Sequence, residues 1–399
     1  MRHNAATVSE WLTRSSPWAS EQKEIAEGYI HMKTRMFALL TVLALLAAAC
    51  GGSTASPSAS VDAGKAEYKA CLSLDTGGPA DKNFNQSAYE GLEALKAEGF
   101  QTAYTTAVDD SSYAPNIQQL IDEGCNSVIA VGYNQGTALQ AAALDAANAD
   151  IAFGWVDATW ALEDGTIPAN FTGIDFQIDE ASMLAAYLAA GISKTHVIAT
   201  YGGAPYPGVT KFMDGWVAGA KYYADKKGVA TDVLGWDPVA KTGTFNPSTA
   251  PFNDVDFGKT TAEAFMGQNA DVVHAVAGTT GNGTYQAMMD AGKYSVGVDL
   301  DQCVSLAEYC GTLLTSAQKN IGAAVITAVN DNYAGKMGGT NYIGTLENGG
   351  VQIATLDRTE SAWTATFGTL VTAELKAEVD ALKAAIIDGS VVVLEWAKK

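Results

Sequence analysis

The side chains that could contact a small molecule are concentrated in three segments of the sequence. The first, LDTGGPADKNFNQSAYEGL, follows an apolar run that ends at Asp75 and presents Phe84 and Asn85 near the start of a helical stretch. The second, GGAPYPGVTKFMDGWVAGAKYY, places Phe212 and Trp216 four residues apart, on one face of a helix. Aromatic rings on two separate elements can stack on both faces of a flat uncharged ring, with roughly 1–3 kcal/mol for each stacked base.

The third segment supplies polar groups. The run SVGVDLDQCVSL places Asp299 and Asp301 at the end of an apolar strand-like stretch, and LLTSAQKN places Lys319 just beyond the next one. These charged groups can hydrogen-bond the hydroxyls of a sugar, and each such bond contributes about 1.5–3 kcal/mol. A cleft carboxylate would repel a phosphate, so the segment favours neutral ligands over phosphorylated ones.

Each of these residues also has a purely structural explanation. The aromatic side chains could pack in a hydrophobic core. Asp75, and Asp157 after the run IAFGWV, could cap a turn or a helix. Asp299 and Lys319 could form a surface ion pair. The sequence leaves these alternatives open.

Catalytic chemistry has little support in the sequence. His196 and His274, the histidines that follow Cys50, have no Cys, His or Glu neighbours at metal-binding spacing, and no G-x-S-x-G nucleophile motif occurs. The glycine-rich run from Gly278 to Gly283 lacks the G-K-[ST] ending of a phosphate loop, so we interpret Gly278 as a close backbone approach to a neutral ligand or a tight turn. We therefore predict binding without turnover, and no metal or cofactor.

Composition narrows the class of protein further. A chain of 399 residues, of which 48% are hydrophobic, is long enough for two well-filled cores. Its formal net charge of -20 repels the phosphates of nucleic acid. Arg358 is the only arginine after Cys50, so this part of the chain has a single guanidinium group that could bind an anionic ligand with two hydrogen bonds. The composition favours a small neutral ligand.

The N-terminal region predicts export and lipidation. Residues 32–50 read MKTRMFALLTVLALLAAAC, a basic start and a short apolar run that together form a secretory signal. The run is shorter than the roughly 20 residues of a membrane-spanning helix. Cys50 follows three alanines and resembles the lipidated cysteine of a lipobox, with plain cleavage as the alternative. Residues 1–31 are interpreted as a non-native upstream extension, and residues 51–66 as a flexible Gly/Ser/Pro-rich tether.

The rest of the chain predicts an α/β fold. Apolar β-rich runs alternate with helical stretches, which is typical of parallel sheets covered by helices. Two such series predict two Rossmann-like lobes, formed by residues 67–176 with 299–338 and by residues 177–298 with 339–399. Ligands bind beyond the carboxyl ends of such strands, so the cleft between the lobes is the predicted site.

The sequence also indicates where the hinges between the lobes lie and which cysteines could form disulfides. Three hinge strands are expected to join the lobes, near Phe176, Asp299 and Gly338. Cys303 and Cys310 close a short loop that could be oxidised outside the cytoplasm. For Cys71 and Cys125, a disulfide and two buried thiols are both open.

The motifs, in this order, are similar to those of the basic membrane protein (BMP) family of substrate-binding lipoproteins, which includes purine-nucleoside receptors of ABC transporters. The resemblance runs from about Tyr68 to the end of the chain. It implies a type I periplasmic binding protein-like fold joined by a three-strand hinge. It also implies a nucleoside ligand, a purine nucleoside first, a transporter permease as partner, and a monomer anchored through lipid on the extracytoplasmic face of the cell membrane.

The resemblance also implies roles for single residues. The D-K-x-F-N motif implies that Phe84 stacks on the base and that Asn85 makes a polar contact to it. An aromatic residue of the second lobe, Phe212 or Trp216, would complete the sandwich. The G-V-D-x-D-Q and S-x-x-K motifs imply that Asp299 and Lys319 hold the ribose hydroxyls, while Asp75, Asp157 and Gly278 line the cleft.

Three other functions remain as alternatives. A sugar receptor would share this architecture and could also stack aromatic rings. A surface enzyme such as a nucleoside hydrolase would need a cluster of metal-binding aspartates, and Asp75 with Asp81 is not one. A cytoplasmic regulator would need a helix-turn-helix where the export signal stands.

Overall fold

Short apolar runs rich in β-branched residues form two sheets, and the longer amphipathic stretches form the helices that cover them. The computed structural model describes residues 62–399. The first sheet has six parallel strands in the order β13-β5-β4-β3-β1-β2. Its strands are β1 (Lys69–Leu74), β2 (Gln101–Thr106), β3 (Ser127–Val131), β4 (Ala152–Val156), β5 (Phe171–Phe176) and β13 (Thr340–Gly344).

The second sheet also has six strands, in the order β14-β12-β11-β10-β6-β7, and only β14 is antiparallel to its neighbour. Its strands are β6 (Val197–Gly202), β7 (Asp232–Leu234), β10 (Val272–Val276), β11 (Tyr294–Asp299), β12 (Leu313–Lys319) and β14 (Val351–Ile353). A small hairpin pairs β8 (Trp236–Asp237) with β9 (Thr242–Gly243). The predicted α/β class with parallel sheets is confirmed.

Helices cover the sheets of both lobes. Those of the first lobe are α1 (Phe84–Ala97), α2 (Tyr113–Asp122), α3 (Gly136–Leu144) and α9 (Ile321–Tyr333), which packs on α1. Those of the second lobe are α4 (Ile178–Ile192), α5 (Pro207–Lys227), α6 (Val255–Gly267), α7 (Thr280–Asp290), α8 (Gln302–Ser305), α10 (Ser361–Phe367), α11 (Ala373–Ile387) and α12 (Val393–Lys398).

Helices α4 and α5 pack very closely, which fixes the position of α5 beside the cleft. A Cβ atom on Gly215 would lie 2.2 Å from the backbone oxygen of Asp179, and one on Gly219 would lie 2.3 Å from that of Met183. Only glycine allows such an approach of two helix backbones. The Gly215-Trp216 pair therefore serves the packing of the second lobe.

The division of the chain between the lobes differs from the predicted one. Residues 299–338 were expected in the first lobe, but β12 pairs with β11 of the second sheet, and only α9 returns to the first lobe. Residues 339–399 were expected in the second lobe, but β13 pairs with β5. The apolar run of β12 is buried beside β11, and this long-range pairing is not visible in local periodicity.

The crossings between the lobes shift accordingly. Within residues 62–399 the chain passes from one sheet to the other after Phe176, at Asn320 and within residues 345–350. The first crossing lies where it was predicted. The other two replace the hinges predicted near Asp299 and Gly338, since Asp299 ends a strand inside the second sheet and Gly338 precedes a strand of the first.

Two disulfides join the cysteines of the described region, Cys71 to Cys125 and Cys303 to Cys310. Cys50, the signal of residues 32–50 and the extension of residues 1–31 lie outside the described residues. Of the predicted tether, residues 62–66 are described. Asp62 accepts a hydrogen bond from Tyr333 Oη (2.9 Å), so this end of the tether contacts the first lobe.

Candidate ligand-binding cleft

A cavity lies where the carboxyl ends of the strands of both sheets meet. The space between the residues that line it is about 780 Å³ when the open space at its edge is included. Both lobes line it. The predicted site residues that it brings together are Asp75, Phe84, Asn85, Asp157, Phe212, Gly278, Asp299 and Lys319.

Lys319 lies at the centre of the charged part of the cavity. Its Nζ is 2.6 and 2.8 Å from the two carboxylate oxygens of Asp157 and 3.9 Å from Asp299 Oδ1. Its side chain is only 3% exposed. Asp157 follows β4 of the first lobe and Lys319 ends β12 of the second, so the pair bridges the lobes. The alternative of a surface ion pair is excluded by this burial.

Burial and neighbouring charges set the protonation states of Asp299 and Lys319. Burial raises the pKa of Asp299 to about 7, and Lys319 lowers it while Asp157 and Asp81 raise it. Burial lowers the pKa of Lys319, but Asp157 and Asp299 outweigh it and the pKa is raised. Lys319 is therefore positively charged at neutral pH, and Asp299 exchanges its proton near neutrality.

Asp157 and Asp299 share an unusual backbone conformation. Their φ angles are 69° and 63°, in the left-handed region that residues with a side chain seldom adopt. Each residue stands where a strand gives way to a loop at the cleft. Strain of this kind persists where the surrounding structure holds it, and it is concentrated at functional sites. The two turns aim both carboxylates at one lysine.

The aromatic rings form the other part of the cavity. Lys319 Nζ lies 5.4 Å from the ring centre of Phe84 and 5.0 Å from that of Phe212, within the range of cation–π attraction. Phe84 is half-buried, whereas Phe212 is only 1% exposed and is covered by its own lobe. Phe84 therefore has more free surface for a ligand than Phe212.

The prediction that Trp216 could line the cleft is wrong. Its side chain is fully buried, it does not border the cavity, and its ring lies 4.8 Å from that of His274. Trp216 follows Phe212 by one helical turn, which is a rise of about 6 Å along α5 at 1.5 Å per residue. Because α5 begins at the cleft, the later residue lies deeper in the core.

Three aromatic residues of the cavity had not been predicted as ligand contacts: Tyr133, Tyr206 and Phe252. The rings of Tyr133, in the first lobe, and Tyr206, in the second, stack across the cleft at 5.1 Å. Phe252 is half-buried and its ring lies 6.0 Å from Tyr206. It belongs to the polar run NPSTAPFND, where a single aromatic residue was the one available signal.

The remaining predicted residues have defined partners. Asn85 accepts a hydrogen bond from the backbone of Asp75 (2.9 Å) and donates to Asp81 Oδ2 (2.9 Å), so its amide holds the loop before α1. Asp75 accepts from Tyr113 Oη at 2.7 Å, and burial raises the pKa of its carboxyl. Gly278 has a φ of 55°, and a Cβ there would lie 3.2 Å from the backbone oxygen of Phe252.

The single arginine downstream of Cys50 is engaged elsewhere. Arg358 binds Asp301 at 2.5 Å and Glu360 at 3.2 Å, and its side chain is almost fully buried. Neither Arg358 nor Asp301 borders the cavity. Within residues 62–399, Lys319 is therefore the only cationic side chain that lines the cavity, and no group of three or more His, Cys, Asp or Glu side chains is placed to hold a metal ion.

This architecture defines the class of protein. Two α/β lobes with parallel sheets around a cleft form a type I periplasmic binding protein-like fold. The fold is similar to that of an ABC transporter solute-binding protein from Aeropyrum pernix K1, with a TM-score of 0.69 and 20% identity over 82% of this chain and 92% of that one. It is also similar to a solute-binding protein from Conexibacter woesei DSM 14684, with a TM-score of 0.62 and 21% identity over 82% and 98% of the two chains.

Sequence comparison identifies the family. The family described as "ABC transporter substrate-binding protein PnrA-like" matches residues 69–379, and the chain belongs to it. The ABC transporter nucleoside-binding protein BmpA of Lactococcus lactis subsp. cremoris is 30% identical over 388 residues, 91% of this chain and 99% of that relative. Basic membrane protein A of Borreliella afzelii is 28% identical over 317 residues, 78% and 87% of the two chains. The resemblance to the basic membrane protein family is confirmed.

Membership of this family carries a general role. The family consists of substrate-binding proteins of ABC transporters rather than enzymes. Such a protein binds a small-molecule ligand outside the cytoplasm and works with a membrane permease. Among the helices of residues 62–399, none has the length and apolar character needed to cross a membrane.

Proposed function

We propose that this chain captures a nucleoside in the interlobe cleft, with purine nucleosides as the preferred ligands, and delivers it to an ABC permease without changing it. The observation that carries the proposal is the composition of the cavity. Aromatic rings from both lobes lie beside a buried Asp157–Lys319–Asp299 group. A nucleoside combines a flat uncharged base with a hydroxylated sugar, so it matches both parts.

The base would be held by stacking. Phe84 offers a half-buried ring from the first lobe, and Phe252 offers one from the second. Phe212 is almost fully covered and is better placed to support the cavity wall. We propose Phe252 as the ring that opposes Phe84, because a stacking ring needs a face open to the ligand.

The ribose would be held by the charged group. Asp299 Oδ1 is buried and has no hydrogen-bond partner among the described residues, so it is free to accept from a hydroxyl. Lys319 can donate to a sugar oxygen while it keeps its bond to Asp157. An unpaired buried carboxylate oxygen is costly, and a ligand hydroxyl would remove that cost.

The charge of the cavity opposes anionic ligands. Asp75, Asp81, Asp157 and Asp299 line it together with Lys319. A phosphate or carboxylate on the ligand would meet several carboxylates and one partly neutralised ammonium group. The proposed ligand is therefore a nucleoside rather than a nucleotide. The printed name of the relative from Lactococcus lactis, a nucleoside-binding protein, supports the same substrate class.

Calorimetric titration of the purified protein tests the proposal. Adenosine, guanosine, inosine, uridine, ribose and adenosine monophosphate form the panel. We expect purine nucleosides to bind, ribose and the monophosphate to bind at least tenfold more weakly, and Asp299→Ala to lose tenfold or more in nucleoside affinity. Ribose binding as tightly as adenosine would support the sugar-receptor alternative, and failure of every nucleoside would end the proposal. Nucleobase release on long incubation would revive the hydrolase alternative.

We also propose that the chain acts as a monomer held at the membrane by lipid on Cys50, with the following residues as a tether. The support is the small-residue run before Cys50 in the sequence. Metabolic labelling with palmitate, with Cys50→Ser as the control, tests the anchor. Label in the unchanged chain and none in the variant is the expected result. Light scattering at several protein concentrations tests the monomer.

A further inference from the structure

We infer that Asn83 and Gln302 form a latch between the lobes that favours the closed cleft and positions Phe84. The inference rests on the proposed ligand site, because it assigns these two residues a role in ligand affinity. Neither residue borders the cavity. They are therefore positioning residues that act through the closure of the lobes and through the residue that follows Asn83.

The second lobe holds Gln302 in one orientation. Gln302 is the first residue of α8 and is fully buried. Its Oε1 accepts hydrogen bonds from Tyr285 Oη (2.7 Å) and from the backbone N–H of Val298 (2.9 Å), and its own backbone N–H donates to Ser316 Oγ (3.1 Å). With its oxygen engaged in this way, the amide nitrogen Nε2 points at the first lobe and donates to Asn83 Oδ1.

The first lobe holds Asn83 equally firmly. Asn83 is fully buried and directly precedes Phe84, the first residue of α1. Its backbone N–H donates to Asp81 Oδ1 at 2.9 Å, and its carbonyl accepts from the N–H of Ser87 at 3.0 Å. The bond from Gln302 thus reaches a residue that is rigidly coupled to the start of α1 and to the ring of Phe84.

A second hydrogen bond between the lobes lies next to the one between Gln302 and Asn83. Ser305 Oγ, at the other end of α8, donates to the backbone oxygen of Lys82 at 3.0 Å. The loop before α1 is therefore seated along α8 of the opposite lobe. The disulfide between Cys303 and Cys310 closes the chain segment that contains Ser305, which limits how far α8 can unfold when the lobes separate.

The contact is separated from the first and third crossing segments by strands of the first sheet, while α9, which follows the second crossing, packs on α1. The third crossing follows β13, the edge strand of the first sheet, and the first follows its neighbour β5, whereas Asn83 follows β1, three strands beyond β5 in the order. A hinge rotation about the crossing edge would move the loop after β1 away from α8. Both amides would then exchange their mutual bond for bonds to water, so the bond adds to the stability of the closed form.

A bond that favours closure raises apparent affinity. When only part of the population is competent to bind, the apparent dissociation constant is the intrinsic constant divided by the competent fraction. The net contribution of one buried hydrogen bond corresponds to roughly a three- to tenfold change in such an equilibrium. We expect loss of the latch to weaken nucleoside binding by about this factor.

The principal variant is Asn83→Ala, which removes the acceptor on the first lobe and leaves the bonds of Gln302 within the second lobe intact. Asn332→Ala is the matched control. Asn332 is also a buried asparagine, and its Nδ2 donates to Ser127 Oγ at 3.2 Å within the first lobe, at the amino end of β3 and far from the cleft. Gln302→Met, which keeps the volume of the side chain, tests the latch from the other lobe.

Two measurements distinguish a latch from general destabilisation. Small-angle X-ray scattering of the ligand-free protein reports the opening of the lobes, and calorimetry with inosine reports affinity. We expect the Asn83→Ala protein to have a larger radius of gyration than the unchanged protein without ligand and the same radius when saturated with inosine. Its affinity for inosine should be about three- to tenfold weaker. Asn332→Ala should lower the midpoint of urea unfolding and leave both readouts unchanged.

The inference and the proposed function can fail separately. If Asn83→Ala and Gln302→Met match the unchanged protein in both scattering and affinity, the latch is overturned. It is also overturned if Asn332→Ala shifts these readouts as much as Asn83→Ala does. If no nucleoside binds to any form, the proposed function fails and the ligand-free scattering of the variants alone decides the latch.

Discussion

Two buried titratable residues lie on neighbouring strands of the second sheet and have opposite surroundings. Asp299 ends β11 at the cleft, 3.9 Å from Lys319 and beside a cavity. His274 lies inside β10 among the rings of Phe212 and Trp216, and neither of its ring nitrogens has a hydrogen-bond partner among the described residues. A buried polar group without a hydrogen-bond partner can therefore belong either to a ligand site or to a core. At Asp299 the unpaired oxygen faces space for a ligand, whereas at His274 the ring fills a core.

The two residues also respond to pH in opposite directions. The pKa of Asp299 is raised to about 7 by burial, so its contribution to stability is full below the ordinary aspartate range and is lost as pH rises toward 7. The pKa of His274 is lowered to about 3 by burial, so its contribution is full above the ordinary histidine pKa and is lost as pH falls toward 3. Substitutions at these residues and at their neighbours test this contrast.

The largest effect is expected from Lys319→Met. The change leaves Asp157 and Asp299 close together without their shared cation, and breaking a buried ion pair from one side costs about 3–5 kcal/mol. We expect a loss of this size in urea unfolding and no measurable nucleoside binding by calorimetry. Lys211→Met is the control, since Lys211 and Asp175 form an interlobe pair at 2.6 Å that is partly exposed. An equal loss in the two variants would contradict the special role of the buried group.

The next effect is expected from Phe252→Ala. Loss of one stacking face should weaken purine nucleoside binding by roughly 1–3 kcal/mol, with little change in the affinity ratio between ribose-modified analogues. Calorimetry measures it. Trp216→Phe is the control from the His274 region, where we expect lower stability and unchanged affinity. Unchanged affinity in Phe252→Ala would remove Phe252 from the proposed clamp and return the opposing role to Phe212 or Tyr206.

A smaller effect, of opposite sign, is expected from Asp299→Asn. The amide cannot ionise, so the variant avoids burying a charge and should gain stability relative to the unchanged protein as pH rises from 4 to 8. Unfolding free energies measured in urea at several pH values give the difference between the two proteins. This difference isolates Asp299 from other groups such as Asp179, whose pKa burial also raises to about 7. A difference that does not vary with pH would show that folding leaves the pKa of Asp299 unchanged.

The smallest effect at neutral pH is expected from His274→Leu. Replacing an unpartnered buried imidazole with an apolar side chain of similar size should change stability by less than about 1 kcal/mol at pH 7, toward higher stability. The variant should also lose less stability than the unchanged protein between pH 6.5 and 4. Thermal unfolding across this range checks both statements. Greater acid sensitivity in the variant would mean that His274 has a partner in solution.

Local sequence patterns predicted some of the residues that line the cavity but not all of them. Phe84, Asp299 and Lys319 could be selected because each stands at a strand end or helix start that the local pattern predicts, and parallel strands bring such ends to one edge. Trp216 was selected by the same spacing as Phe212, but periodicity does not show which end of a helix faces a cleft. Phe252 stands in an irregular loop, where no periodic pattern indicates the direction of a side chain.

The sequence by itself determined the α/β class, the alternation of strands and helices, and the family, since these depend on local periodicity, composition and short motifs. The tertiary structure alone decided that β12 joins the second sheet and β13 the first, that Lys319 reaches Asp157 across the lobes, and that Gln302 meets Asn83. These contacts join residues that are far apart in the chain. They arise from strand pairing and lobe packing, whose energies depend on the whole fold and leave no signature in any short segment.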